Sequence, residues 1–244
     1  MSRRLALAAL FALLASWAAR AADGPHWAYE GYLGPEAWGR LGEEYAACAT
    51  GREQSPIDLT GAVRAELPTI ALHWKAAASD VIHNGHAIQV NVRGGGHALI
   101  DGERFELVLY HFHAPSEHTV DGRYFPMEVH FVHANAEGRL AVIGVMMVEG
   151  ALNPLFGTIM SLAPAQEGVS PAGILEPRGL VASLQGLYRY QGSLTTPPCS
   201  ENVVWTVLRQ PVEVGAADIA AFRALFPMNA RPLQNRYRRY LLTN

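Results

Sequence analysis

From residue 69 onwards the chain is dominated by short runs in which apolar and polar residues alternate. Successive side chains of a β-strand point to opposite faces, so these runs predict strands at 69–74, 79–83, 87–92, 97–100, 104–113, 124–133, 140–148 and 203–209. Turn signals separate several of them: Asn84-Gly85, Gly94-Gly95-Gly96, Asp121-Gly122 and Glu137-Gly138. Helical periodicity is sparse and confined to 154–162 and 216–226. Residues 23–53, rich in glycine and in aromatics such as Trp27, Tyr29, Tyr32 and Trp38, predict an irregular segment wrapped over the sheet. The fold class expected is mainly β, a single domain with a few short peripheral helices, and not a parallel α/β fold.

The ends and the charge narrow this further. Arg3 and Arg4, the apolar stretch Leu5–Leu14 and the small-residue pattern Ala19-Arg20-Ala21 read as a secretory signal over 1–21, leaving a domain over 22–244. An uncleaved anchor is the alternative. That stretch is too short and too interrupted for a membrane span, and no later apolar run is long enough. The predicted location is therefore periplasmic or secreted. A formal charge of −3 and the lack of a basic stripe argue against nucleic-acid binding. The arginine-rich end, 231–239, reads as a solvated surface segment. The two cysteines, Cys48 and Cys199, suggest a disulfide in an exported chain, or two free thiols in a reducing compartment.

The candidate chemistry lies in LYHFHAPSEH and MEVHFVH. His111 and His113, two apart on a predicted strand, project to the same side. His130 follows after enough residues for a loop and a return strand alongside. Three neutral imidazoles leave a fourth tetrahedral position open, as catalytic zinc requires, and no cysteine lies nearby to close a structural site. Each histidine alone reads better as a core residue bonded to backbone; the trio at this spacing does not.

The segment HFHAPSEHTVDGRYFPMEVHFVH, with NGHAIQV, QSPIDL, GSLTTPP and NARPLQNR, closely resembles the α-class carbonic anhydrases of the bacterial exported kind, from about His26 to Arg236. The resemblance implies a large twisted, mostly antiparallel central sheet and one Zn2+ per chain. It implies reversible hydration of carbon dioxide to bicarbonate and a proton, by attack of zinc-bound hydroxide, with weak ester hydrolysis as a side activity. His111, His113 and His130 would be the ligands. Thr195 would orient the nucleophile while donating its own proton to Glu117, with Thr196 beside it at the mouth. Val132, Val142, Leu194, Val203 and Trp205 would form the apolar wall for the substrate. His86 would shuttle the proton, with Tyr29, Asn84 and Gln89 ordering water; His83 competes for that role but should face elsewhere.

The resemblance also implies that Glu128 holds His130, that the backbone carbonyl of Asn229 holds His113, and that His118 bridges Glu117 and Tyr190. Cis peptides are implied at Ser55-Pro56 and Pro197-Pro198. The departure is Leu109, where the family usually has a glutamine bonded to the first histidine. His26, His73, His97 and His133 read as structural or surface groups. A homodimer stays open as an assembly. The contrasting class is a binding or adhesion module that kept the fold and lost catalysis; such modules typically lack a zinc histidine, and this chain has all three.

Overall fold

The computed structural model describes residues 24–244, so the predicted signal over 1–21 lies outside the described residues. Twelve strands form one sheet: β1 (Val63–Arg64), β2 (Ala71–Trp74), β3 (Ala77–His83), β4 (Ile88–Arg93), β5 (Gly96–Ile100), β6 (Glu103–His113), β7 (Met127–Ala134), β8 (Leu140–Glu149), β9 (Gly168–Leu175), β10 (Leu187–Ser193), β11 (Glu201–Val214) and β12 (Leu242–Thr243). Their spatial order is β1-β12-β10-β11-β8-β7-β6-β4-β3-β9, with β2 and β5 branching from the first half of β6. Neighbours run antiparallel except β11 beside β8 and β1 beside β12, so the expected mainly antiparallel sheet is present.

Period-two burial explains the central strands: β3 and β4 alternate buried and half-buried positions, as expected of a sheet with one face on the core. β7 and β8 are buried on both faces and read as nearly continuous apolar runs. Four strands escaped prediction, the two-residue β1 and β12 and the longer β9 and β10. β9 carries Pro171 and two glycines, tolerable because it sits at the sheet edge, where a missing N–H faces no partner. β10, LYRYQGS, has too few apolar positions to stand out. Helices α3 (Pro154–Leu162) and α4 (Ala216–Leu225) follow α1 (Trp38–Leu41) and α2 (Ala47–Thr50). The Asn153 side chain caps α3 by accepting from the N–H groups of Leu155 and Phe156, and Pro154 fills the first turn where no donor is needed. Among the described residues no helix is long and apolar enough to cross a membrane.

The main core lies on one face, built from β3–β8 side chains such as Phe105, Tyr110, Phe112 and Phe131 against Phe156 of α3 and Phe222 of α4. A second cluster, with Val142, Val203 and Trp205, fills the other face. The N-terminal segment is not wholly irregular. It makes short helical turns around Trp38, whose indole donates to the carbonyls of Ala28 and Leu33, and packs on the Cys48–Cys199 disulfide. The peptides preceding Pro56 and Pro198 are cis, as is the one preceding Pro115.

His133 is fully buried on β7, where its Nε2 accepts from the Trp74 indole at 3.1 Å and ties β2 to the sheet. Burial pushes its pKa from 6.5 down to about 4. The unfolded chain therefore takes up this proton first, and stability falls as pH drops from about 6.5 to about 4. The gap is worth about 3 kcal/mol. Urea unfolding of His133→Gln should show a correspondingly flatter stability profile in that window; an unchanged slope contradicts the assignment.

Candidate metal centre

Two adjacent strands, β6 and β7, place the three histidines. In the β6/β7 register His111 lies directly opposite His130, and His113 opposite Glu128. A register shift between Leu107 and Leu109 precedes the site without disturbing the two-residue spacing of His111 and His113. Ring centroids stand 4.9 Å apart for His111 and His113, 5.3 Å for His111 and His130, and 4.6 Å for His113 and His130. One ligand atom from each ring lies within 4.8 Å of the others.

Each ring is held differently. The Nδ1 of His113 donates to the Asn229 carbonyl at 2.7 Å, which leaves its Nε2 buried and without a partner. The Nε2 of His130 lies 2.9 Å from Glu128 Oε1, though off-line for a hydrogen bond, so its Nδ1 is the atom turned toward the site. Opposite His130 on β8 is Gly144, where a Cβ would meet Glu128 Oε1 at 2.9 Å. The glycine makes room for the carboxylate that holds the ring, a link no local pattern reveals.

Burial lowers the pKa of all three rings and holds them neutral, the form in which imidazole binds a metal. A buried, partnerless His113 Nε2 beside two further neutral imidazoles fits a borderline ion such as zinc. Burial would also raise Glu128, but His118 and His130 reverse this and keep it well below the usual carboxylate range.

Glu117 is fully buried. Its Oε1 accepts the Arg231 backbone N–H at 2.8 Å, and its Oε2 sits 3.5 Å from His113 Nε2 with no hydrogen-bond partner. Burial pushes its pKa up to about 7, against the pull of His130, the Arg231 N–H and the Thr195 hydroxyl, which lies within its reach. Thr195 is buried in the segment after β10, and Thr196 is half-buried beside it.

Fold and site now permit comparison with known proteins. Residues 33–244 match the model of the eukaryotic-type carbonic anhydrase family. The chain belongs to the α-carbonic anhydrases. It is 42% identical over 240 residues to a carbonic anhydrase of Pectobacterium carotovorum, covering 96% of each chain. It superposes on the α-carbonic anhydrase of Thermovibrio ammonificans, solved with the inhibitor sulfanilamide, with a TM-score of 0.87 and 41% identity, over 90% of this chain and 99% of that one. It also matches a dioscorin solved with ascorbate, at TM-score 0.85 and 29% identity, over 89% and 97% of the two chains.

The other residues expected from the α-carbonic anhydrase pattern gather around this centre. Val132, Val142 and Trp205 stand in one row across β7, β8 and β11, and pack with Val203 and Leu194 in the second core cluster. His86 follows Asn84, whose Oδ1 accepts the N–H groups of His86 and Ala87; Asn84 Nδ2 reaches Gln89 Oε1 at 3.3 Å. Gln89 lies opposite His111 on β4. The His86 ring stacks on Trp27 at 3.7 Å, within the aromatic group that includes Tyr29 and Trp38. Burial, then His26, lowers its pKa to about 4. His83 faces Phe226 instead, as expected of a ring pointing elsewhere.

Two expectations are corrected. His118 does bridge to Tyr190, at 2.7 Å, but its other nitrogen meets Glu128 at 2.8 Å and not Glu117. The backbone N–H groups of Glu117 and His118 both donate to Glu128 Oε2, so this one carboxylate gathers the loop that carries them. The segment 231–239 is otherwise exposed or half-buried, as expected of a solvated end, but Arg231 is the exception: it is 2% exposed, with backbone carbonyls and Gln54 accepting from its Nη1 and Nη2.

Leu109 lies opposite Asn91 and Val132, half-buried, and offers the His111 ring no acceptor. Among the described residues His111 makes no side-chain hydrogen bond, unlike His113. Such a missing partner commonly costs 10–100-fold in metal affinity or activity. Leu109→Gln should therefore tighten zinc binding in a chelator competition and raise turnover, by roughly 10-fold. No change in either contradicts this account of His111.

Proposed function

We propose that this chain is an exported zinc enzyme that interconverts carbon dioxide and bicarbonate. The observation that carries the proposal is the convergence of three neutral imidazoles, two buried and His111 half-buried, whose ligand atoms lie within 4.8 Å of one another, with a partnerless nitrogen among them. Bound there, zinc would supply a water acidified to near pH 7, a value taken from carbonic anhydrases generally and not obtained from this site.

The chain's own residues do the rest. Glu117 takes the Thr195 hydroxyl proton in a hydrogen bond, which turns a Thr195 lone pair toward the open position and selects ligands that can donate a proton. The Thr195 N–H and Thr196 would hold a bicarbonate oxygen. The wall of Val132, Val142, Leu194, Val203 and Trp205 admits a small apolar molecule and excludes water from it. Weak ester hydrolysis at the same position belongs to this proposal. The Cys48–Cys199 disulfide supports an oxidising compartment, periplasmic or extracellular.

His86 is the proposed proton acceptor. Loss of a proton of pKa about 7 directly to water is limited to about 10³ s⁻¹, since the reverse step cannot exceed the diffusion ceiling. Stacked on Trp27, with its pKa near 4, His86 accepts a proton poorly: each unit below the donor costs about tenfold. It must swing out to act. Trp27→Ala should move the His86 titration, followed by NMR, from about 4 toward 6.5, and His86→Ala should slow turnover in dilute buffer with partial rescue by imidazole. Equal turnover of the His86 variant in all buffers contradicts the role.

The whole proposal is tested by stopped-flow carbon dioxide hydration before and after zinc removal. Activity lost with the metal and restored with it supports the enzyme; a zinc-loaded chain without hydration activity supports a binding protein of the same fold.

A further inference from the structure

Arg231 is among the most buried large side chains of the protein, and no carboxylate salt bridge accounts for it. Its Nη1 donates to Gln54 Oε1 at 2.9 Å and to the Ser55 carbonyl at 2.8 Å, and its Nη2 to the Cys48 carbonyl at 3.1 Å. The guanidinium lies 5.5 Å over the Trp38 ring. Burying a cation among neutral acceptors is costly, and an apolar side chain of similar size would pack there without that cost. What the arginine achieves is visible on either side of it.

On one side its own backbone N–H donates to Glu117 Oε1, while Oε2 has no hydrogen-bond partner and the Thr195 hydroxyl lies within reach of the carboxylate. On the other side Gln54 relays the grip. While Gln54 Oε1 accepts from Arg231, its Nε2 donates to the Cys199 carbonyl and to Glu201 Oε1, both at 3.0 Å. Cys199 in turn donates its N–H to the Thr196 carbonyl at 2.8 Å, with its backbone held at φ 57° in the left-handed region. The two halves of the Thr195–Glu117 pair thus come from segments far apart in sequence and meet at one residue, Glu117 at the Arg231 backbone and the Thr195 loop at its guanidinium through Gln54.

We propose that Arg231 is a positioning residue that sets the Thr195–Glu117 pair, holding Glu117 through its backbone and the Thr195 loop through Gln54 and Cys199. Its planar fork reaches Gln54, Ser55 and Cys48 at once, which a lysine ammonium on a flexible stem would not do in fixed geometry. The inference rests on the metal-centre proposal, and the test separates the two.

The probes are sulfanilamide and thiocyanate, bound to zinc-loaded protein. A sulfonamide anion keeps one N–H, which it must give to the Thr195 hydroxyl, whereas thiocyanate has no proton to give. Arg231→Met should retain one zinc per chain and bind thiocyanate within about 3-fold of the parent, while sulfanilamide weakens by roughly 10–100-fold. Arg231→Lys should fall between. Gln54→Leu, which cuts only the relay to the loop, should also weaken sulfanilamide selectively, and it carries the test if Arg231→Met does not fold. Parallel loss of both ligands, or of neither, overturns the proposal. A parent chain that binds neither zinc nor sulfanilamide overturns the metal-centre reading itself.

Discussion

His111→Ala is expected to reduce zinc affinity on the order of 10³-fold and to abolish carbon dioxide hydration at micromolar zinc. Zinc sites in folded peptides bind with roughly 10–16 kcal/mol shared among four ligands, so one imidazole accounts for roughly 3–4 kcal/mol. His111 is the ligand to remove first. His113 is hydrogen-bonded to Asn229, His130 stands 2.9 Å from Glu128, and both are buried, so their loss would damage the fold as well as the site. His111 lines no such network, and its alanine variant should keep its circular dichroism and its denaturation midpoint in the metal-free state. Retention of stoichiometric zinc after dialysis against a weak chelator would contradict its place in the set.

The paired replacement Cys48→Ser with Cys199→Ser is expected to cost about 3–5 kcal/mol of stability, read by urea denaturation. The bond closes a loop with a sequence separation of 151 residues, for which the chain-entropy model gives about 5 kcal/mol, an upper figure because denatured chains retain structure. The effect should reach the site. Cys199 is fully buried and bonded through its N–H to Thr196, and the Cys48 carbonyl accepts from Arg231. Hydration activity should therefore fall at temperatures where the variant remains folded. A stability loss under about 1 kcal/mol, with full activity, would show that packing around Trp38 and Tyr45 holds this region without the bond.

Much of the site was legible because its key residues share strands. Residues two apart on a strand share a face, so His111 and His113 could be paired from spacing alone. The resemblance then pointed to neighbours that spacing does not give, Glu128 beside His130 and the Asn229 carbonyl on His113, and it proposed Thr195 and His86. What stayed hidden depends on contacts between distant segments. Gly144 matters only because β8 passes beside β7 and Glu128 needs the space above it. Arg231 looked like a surface residue because neighbouring arginines, tyrosine and glutamine give no sign of the carbonyls waiting around its guanidinium. His118 was matched to the wrong carboxylate, since both acids lie within reach of its loop and only the folded backbone shows that Glu128 gathers the N–H groups of 117 and 118. Edge strand β9 was missed because proline and glycine are penalised in central strands and tolerated at an edge.

The most direct test is X-ray absorption at the zinc edge on purified, metal-loaded protein. The arrangement of His111, His113 and His130 predicts one zinc per chain with three imidazole nitrogens and one oxygen at about 2.0–2.1 Å. A sulfur neighbour, a fourth imidazole, or a chain that takes up no zinc would contradict it.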